Sequence, residues 1–123
     1  MQMDMQGLRN MKHLEVGVNS TPAKRLMVGL HYEFFELYDA TDGWYGCTGT
    51  VNTRVGGSFV DATGAHGKDV GQEVNFYGTY DLNKDLQLMF GIAAFQPGGF
   101  IKGFNGSDTV NQYWGYFGIC AKY

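Results

Sequence analysis

Leu86-Gln87-Leu88-Met89-Phe90-Gly91-Ile92-Ala93-Ala94-Phe95 is the stretch whose reading decides the fold. Leu86, Leu88, Phe90, Ile92 and Ala94 take every second position, with Gln87, Met89, Gly91 and Ala93 between them. A repeat of two puts successive side chains on opposite faces of an extended strand, whereas a helical face recurs about every 3.6 residues. This segment therefore reads as a strand with one strongly apolar face.

The same alternation extends outward in both directions. Upstream, Val70, Val74, Phe76 and Tyr80 alternate with Glu73, Asn75, Tyr77 and Thr79, giving a strand over Val70–Tyr80. Before it, Leu26, Val28, Leu30, Tyr32 and Phe34 alternate with Met27, Gly29, His31, Glu33 and Phe35 over Leu26–Leu37. Helix formers are frequent there, but the polar residues fall at alternate positions and no cap frames the segment. The earliest strand covers Lys12–Ser20, with Leu14, Val16 and Val18 on one side and His13, Glu15, Gly17 and Asn19 on the other. Downstream, Tyr113, Phe117, Ile119, Ala121 and Tyr123 alternate with Gln112, Trp114, Tyr116, Gly118 and Lys122. Thr21-Pro22-Ala23-Lys24 and Asp81-Leu82-Asn83-Lys84-Asp85 carry turn chemistry. Long connectors rich in glycine, about 38–69 and 96–109, separate the other strands. Short turns at one end and long loops at the other are the pattern of an outer-membrane barrel. The expected fold is all-β, an antiparallel up-and-down meander forming a partial transmembrane β-barrel with short periplasmic turns and long extracellular loops.

Composition agrees. The chain has 123 residues, 44% hydrophobic and 15% aromatic, with 19 glycines, 2 prolines and a formal charge of -3. A charged fraction of 17% is too low for a disordered or coiled-coil chain, and scattered Lys and Arg form no basic stripe for nucleic acid. No apolar run reaches the length of a spanning helix, so a membrane role would fall to strands. Cys47 and Cys120 lie outside any metal spacing and are expected to be unpaired thiols. No Asp, Glu, Lys or Arg sits among the positions assigned to the apolar faces, though Gln72 interrupts one near its long-loop end. Alternation alone fits either a soluble β-sheet binding module, apolar side inward, or a membrane wall, apolar side to lipid. Tyr32, Phe34 and Tyr113 toward one end and Tyr80 and Tyr123 toward the other resemble interfacial girdles and favour the membrane sense.

Four motifs carry a family resemblance: Gly7-Leu8-Arg9-Asn10, Asp42-Gly43-Trp44-Tyr45, Gly71-Gln72-Glu73-Val74 and Phe95-Gln96-Pro97-Gly98-Gly99-Phe100. In order and spacing they resemble the carboxy-terminal part of the alginate export family of outer-membrane β-barrels. The resemblance implies a porin-like channel in the bacterial outer membrane, passing hydrophilic or anionic solutes such as an alginate-like polysaccharide, and no enzyme activity. It also implies recognition by the barrel assembly machinery through the last strand, ending at Tyr123. Family members close single-chain barrels with far more than five strands. Residues 1–123 are thus expected to form the carboxy-terminal fragment of one barrel domain, in keeping with an amino terminus, Met1-Gln2-Met3-Asp4-Met5-Gln6-Gly7, that lacks signal-peptide character. Expected partners are outer-membrane lipid and the solute.

The lumen wall is expected to comprise Glu15, His31, Glu33, Glu73, Asn75, Tyr77, Gln87, Gln112 and Trp114. Glu33→Arg is expected to alter ion selectivity with little effect on assembly. The wall departs from a polyanion exporter in its glutamates; Arg25 lies in a turn and Lys122 at the periplasmic rim. No catalytic, metal or cofactor residue is assigned. His13 with Glu15 and His31 with Glu33 share a face, and cross-strand proximity could assemble a metal or acid/base site, yet no third ligand of fixed spacing accompanies them and a plain water-facing wall is the expected reading. Gly64-Ala65-His66-Gly67-Lys68-Asp69 lacks phosphate-loop spacing. Asp39, Asp42 and Asp61 lack calcium-loop spacing. The sequons Asn19-Ser20-Thr21 and Asn105-Gly106-Ser107 match a pattern that is common by chance.

Overall fold

A computed structural model describes residue 7, residues 9–106 and residues 109–121. Its elements are β1 (Met11–Ala23), β2 (Leu26–Leu37), β3 (Thr53–Arg54), β4 (Gly57–Ser58), β5 (Asp69–Asp81), β6 (Leu86–Pro97), α1 (Gly99–Asn105) and β7 (Gln112–Ala121). The long strands form a five-stranded sheet in the order β1-β2-β5-β6-β7, each beside its neighbour in sequence. Every pairing is antiparallel. All five expected strands are present, as an up-and-down meander. Lys122 and Tyr123, the expected end of the last strand, lie outside the described residues.

The two short turns sit side by side. Arg25, with φ 73°, reverses the chain between β1 and β2. Its carbonyl accepts a hydrogen bond from Asp81 N at 2.8 Å, and its Nη1 donates to Leu82 O at 3.3 Å. In the β5–β6 turn Asn83 Oδ1 accepts from Asp85 N and Leu86 N at 2.8 and 2.9 Å, side-chain chemistry that nucleates a tight reversal. Pro22, expected in the first turn, instead lies in the last residues of β1. The register shifts between Ser20 and Ala23 there, and an edge strand tolerates the missing N–H at such an irregularity.

Register holds the apolar residues on one face, with two departures at the long-loop end: Val70, expected among them, is turned into the core by the register shift between Phe35 and Glu36, and Lys12 opposes Glu36 at 3.9 Å on the apolar side. Val16, Tyr32, Val74, Ala94 and Tyr113 form one row across the sheet, and Val18, Leu30, Phe76, Ile92 and Gly115 the next. This face is open: Val16 is 64% exposed, Ile92 63% and Phe117 71%. A shallow groove of about 580 Å³ runs along it past Val74, Phe76, Ile92, Tyr113 and Gly115. Gln72 does fall on this side, at the long-loop end. Its carboxamide is bonded to Tyr32 Oη and to Gln96 Oε1, so its polar atoms are satisfied locally.

The hydrophobic core lies on the other face, toward the long loops. Phe35, Leu37, Val70, Ala93 and Phe95 of the sheet pack with Trp44 and Phe59 of the first long loop and with Phe100 and Ile101 of α1. The second long connector, expected to be loop, contains α1, which spans just Gly99–Asn105 and is too short for a helical period to register against neighbouring glycines. The first loop is a packed body. Trp44 N donates to Phe59 O at 3.0 Å, Asn52 N to Trp44 O at 2.8 Å, and Phe59 N to Asn52 O at 2.9 Å. The rings of Trp44 and Phe59 meet edge to face at 5.2 Å.

The four resemblance motifs pair two by two. Asn10, at φ 52°, donates through Nδ2 to Asp39 O and Gly43 O at 3.0 and 3.1 Å and accepts from Asp39 N at 2.8 Å. Arg9 lies 4.1 Å over the Tyr45 ring, while Gly7 N donates to Tyr45 O at 2.7 Å. At the other pair, Gly71 opposes Pro97 and Gln72 opposes Gln96, and Gly98 N donates to Val70 O at 2.8 Å. Gly71 has φ 145°, and a Cβ there would strike Gln96 O and the Phe95 ring. Asn10→Ala removes three side-chain hydrogen bonds at the root of the loop and should destabilise it by about 2–3 kcal/mol. Denaturant titration of the refolded chain, read by Trp44 fluorescence, measures that loss.

Candidate functional site

Of the two faces of the sheet, the one covered by the first long loop and α1, which together form a cap, carries polar chemistry. Register assembles it in rows. Glu15, Glu33, Glu73, Phe95 and Gln112 stand side by side; the next row holds Gly17, His31, Asn75, Ala93 and Trp114. A third holds Asn19, Gly29, Tyr77, Gly91 and Tyr116, and nearer the short turns Gln87 opposes Asp81 and Cys120. All nine expected wall residues thus share one face. Their surroundings differ: Glu33 is 0% exposed and Glu73 and Asn75 are each 1% exposed, whereas Glu15, Gln112 and Trp114 are open. Glu33 is buried and holds His13 and Asn75, so Glu33→Arg would force a larger side chain into a packed position and remove their acceptor, and the expected tolerance at this position does not follow.

Three carboxylates directly opposite one another on adjacent strands repel. The neighbouring rows supply the compensation. His13 Nε2 lies 2.8 Å from Glu33 Oε2, and the His13 ring stacks on Phe35 with centroids 4.9 Å apart. Asn75 Nδ2 donates to Glu33 Oε1 at 2.7 Å. His31 Nδ1 is bonded to Glu15 Oε1, its Nε2 lies 3.0 Å from Tyr77 Oη, and Tyr77 Oη donates to Asn19 Oδ1 at 2.8 Å. His31 therefore pairs with Glu15 and His13 with Glu33, each across the strand boundary.

Glycines in the strands make room for this network. A Cβ on Gly17 would strike the His31 ring, one on Gly29 would strike Asn19 Oδ1 and the Tyr77 ring, and one on Gly91 would strike the Tyr116 ring. Each glycine lets a side chain of the next strand lie flat across it. His13, absent from the expected wall, was missed because its partner lies on another strand. Phe95 was missed because the polar character of this face stops beneath the cap. A cleft of about 220 Å³ remains between the cap and β7, lined by Trp44, Thr53, Phe59, Ile101 and Gln112 among others. Cys47 and Cys120 are both free and exposed.

The loop has its own electrostatic anchor. Asp61 accepts from the Thr63 hydroxyl at 2.6 Å, from His66 N at 2.8 Å and from Thr63 N at 3.0 Å. These bonds, with the Thr63 hydroxyl foremost, hold its carboxyl down at about 2. Neither Asp61 nor its neighbours form a calcium-binding spacing; the carboxylate closes its own turn.

Two outcomes follow from the geometry. Gly17→Ala should force the His31 ring off Glu15, seen as a changed His31 imidazole shift by NMR with the sheet retained. The folded-state pKa of Asp61 lies below the ordinary 3.8, so its contribution is whole above about pH 4 and lost as pH falls toward 2. Trp44 fluorescence should report loosening of the loop in that window, and Asp61→Asn should remove that acid transition.

A family model described as alginate export matches residues 2–115. No curated protein and no solved structure matches the chain. The matched span takes in β1 through the first residues of β7, both long connectors and the four paired motifs. That family is one of outer-membrane proteins for polysaccharide export, a transport family and not an enzyme family. The chain belongs to the alginate export family.

Proposed function

We propose that the chain is the carboxy-terminal section of an outer-membrane β-barrel wall that passes a hydrophilic solute along its capped polar face. The observation that carries this reading is the inverted polarity of the sheet: large aliphatic and aromatic side chains stand open on one face while buried glutamates and an asparagine occupy the other. In water, an uncovered face of this kind would be a strong association surface; against lipid it is the ordinary outer surface of a barrel. Gln72, tied to Tyr32 and Gln96, then sits at the interface, where polar cost is small.

The edges support the rest of the proposal. Among the described residues β1 pairs with β2 alone and β7 with β6 alone, and unpaired strand edges in hydrocarbon cost several kcal/mol per orphaned group. Further strands, from a longer chain or from neighbouring copies, would close the wall through these edges, with assembly directed by the terminal strand ending at Tyr123. Pore-lining roles fall to Glu15, His31, Tyr77, Gln87, Gln112 and Trp114, with Glu33, Glu73 and Asn75 holding the wall's shape from beneath. The long loop and α1 would narrow the extracellular mouth. On this face the strands of the sheet carry Glu15, Glu33, Glu73 and Asp81 and, among the described residues, no Lys or Arg. Attraction of an anionic polysaccharide would come from other parts of the wall, and this section supplies its neutral and acidic side.

Arginine at the lipid face and at the lumen face should behave oppositely. Ile92→Arg should cost ~2–4 kcal/mol near the bilayer midplane and reduce the protease-resistant, outer-membrane-inserted fraction. Glu15→Arg should leave insertion near normal and shift the reversal potential of the reconstituted channel toward anions. A chain that is monomeric, soluble without detergent and indifferent to Ile92→Arg would overturn the membrane reading.

A further inference from the structure

We propose that His13, Glu15 and Glu33 form a binding site for a divalent transition-metal cation of the zinc type on the capped face of the sheet. The inference stands on the side-chain cluster itself and does not rest on the transport reading. One ligand atom from each of the three residues lies within 4.8 Å of the others. One imidazole and two carboxylates within reach of a single ion are a donor set that suits zinc and its neighbours better than calcium or magnesium, which prefer all-oxygen shells. In a tetrahedral zinc site the ligand atoms stand about 3.3 Å apart. His13 Nε2 and Glu33 Oε2 are already 2.8 Å apart, so small rotations open the gap for an ion.

Independent features point to a cation at this spot. The Glu15–Glu33–Glu73 row sets like charges opposite each other on three strands, a cost that a bound dication would offset. Asn75, 1% exposed, has a buried Oδ1 without a hydrogen-bond partner among the described residues, beside the Nδ2 that holds Glu33. The surroundings also resemble an outer coordination shell. Asn75 fixes one oxygen of Glu33 and leaves the other toward His13. His31 fixes one oxygen of Glu15 and is itself held by Tyr77. Such partners orient ligands and tune affinity. The side chains of His13 and Glu15 are 34% and 38% exposed, so the ion has an entry path from the open side and a fourth position for water. Sequence spacing offered no third ligand; the cross-strand register supplies it.

Metal titration of the full chain, refolded in detergent micelles with Cys47→Ser and Cys120→Ser to remove thiol binding, tests the site. Co²⁺ is expected to bind at one equivalent with the visible bands of a four- or five-coordinate nitrogen–oxygen site, and Zn²⁺ to displace it. His13→Ala and Glu15→Gln should each weaken binding at least about 10-fold, whereas His66→Ala, in the first long loop, should leave it unchanged. Zn²⁺ should also raise the melting temperature, as any ligand selective for the folded state does. Glu15 is open and its substitution preserves shape, so the test survives even if Glu33→Gln fails to fold. No saturable binding at micromolar Co²⁺ or Zn²⁺, or binding indifferent to His13→Ala and Glu15→Gln, overturns the proposal.

Discussion

Register across the five long strands is the constraint from which everything else follows. The side-chain repeat of a strand is two, so slipping one strand by a single residue would carry its whole set to the opposite face. Here the slip would bury Leu30 and Ile92 against the cap and expose Glu33 and Phe95 with the aliphatic rows. The adjoining short turns, joined by Arg25 to Asp81 and Leu82, fix that register at one end. Gly71 against Pro97 and Gln96 fixes it at the other.

Strands and faces were legible in the sequence because both are local. Leu86–Phe95 states its alternation without reference to any other segment, and the structure keeps Leu88, Phe90 and Ile92 on one side throughout. Gln72 could be located near a strand end from spacing alone. The cap was not legible. Trp44 and Phe59 are single aromatics in a stretch of Gly, Thr and Asp, and their meeting depends on a bridge between Tyr45 and Val51 and on a tiny β3–β4 hairpin. Nothing periodic announces such a fold. The helix α1 shares the difficulty, since its buried residues Phe100 and Ile101 are adjacent and define no stripe.

The polar site was half legible for a related reason. Spacing places His13 and Glu15 on one face, and His31 and Glu33 on one face of the next strand. It does not say which histidine meets which glutamate. Gly17, opposite His31, leaves its ring free to lean across to Glu15. Phe35, opposite His13, gives that ring a surface to stack on while it reaches Glu33. The choice of partner is therefore written in one glycine and one phenylalanine, residues that carry no chemistry of their own.

Cap and carboxylate row also depend on each other. Excluding water from one side of Glu33 and Glu73 lowers the local dielectric, which strengthens attraction to His13 and repulsion along the row alike. An open wall could carry three aligned glutamates cheaply, because water would screen them. Where Glu33 and Glu73 are closed off from water that screening is lost, and the hydrogen bond from Asn75 and the contact with the stacked His13 offset the repulsion. The capped face thus divides in two. Near the long loops it is a packed interior with buried charge held in fixed geometry; near the short turns Tyr77, Thr79 and Gln87 are only partly covered. On the proposed transport reading, a solute would meet the open Glu15 and the partly covered Tyr77 and Gln87, and the buried Glu33 and Glu73 would act on it only by holding those side chains in place.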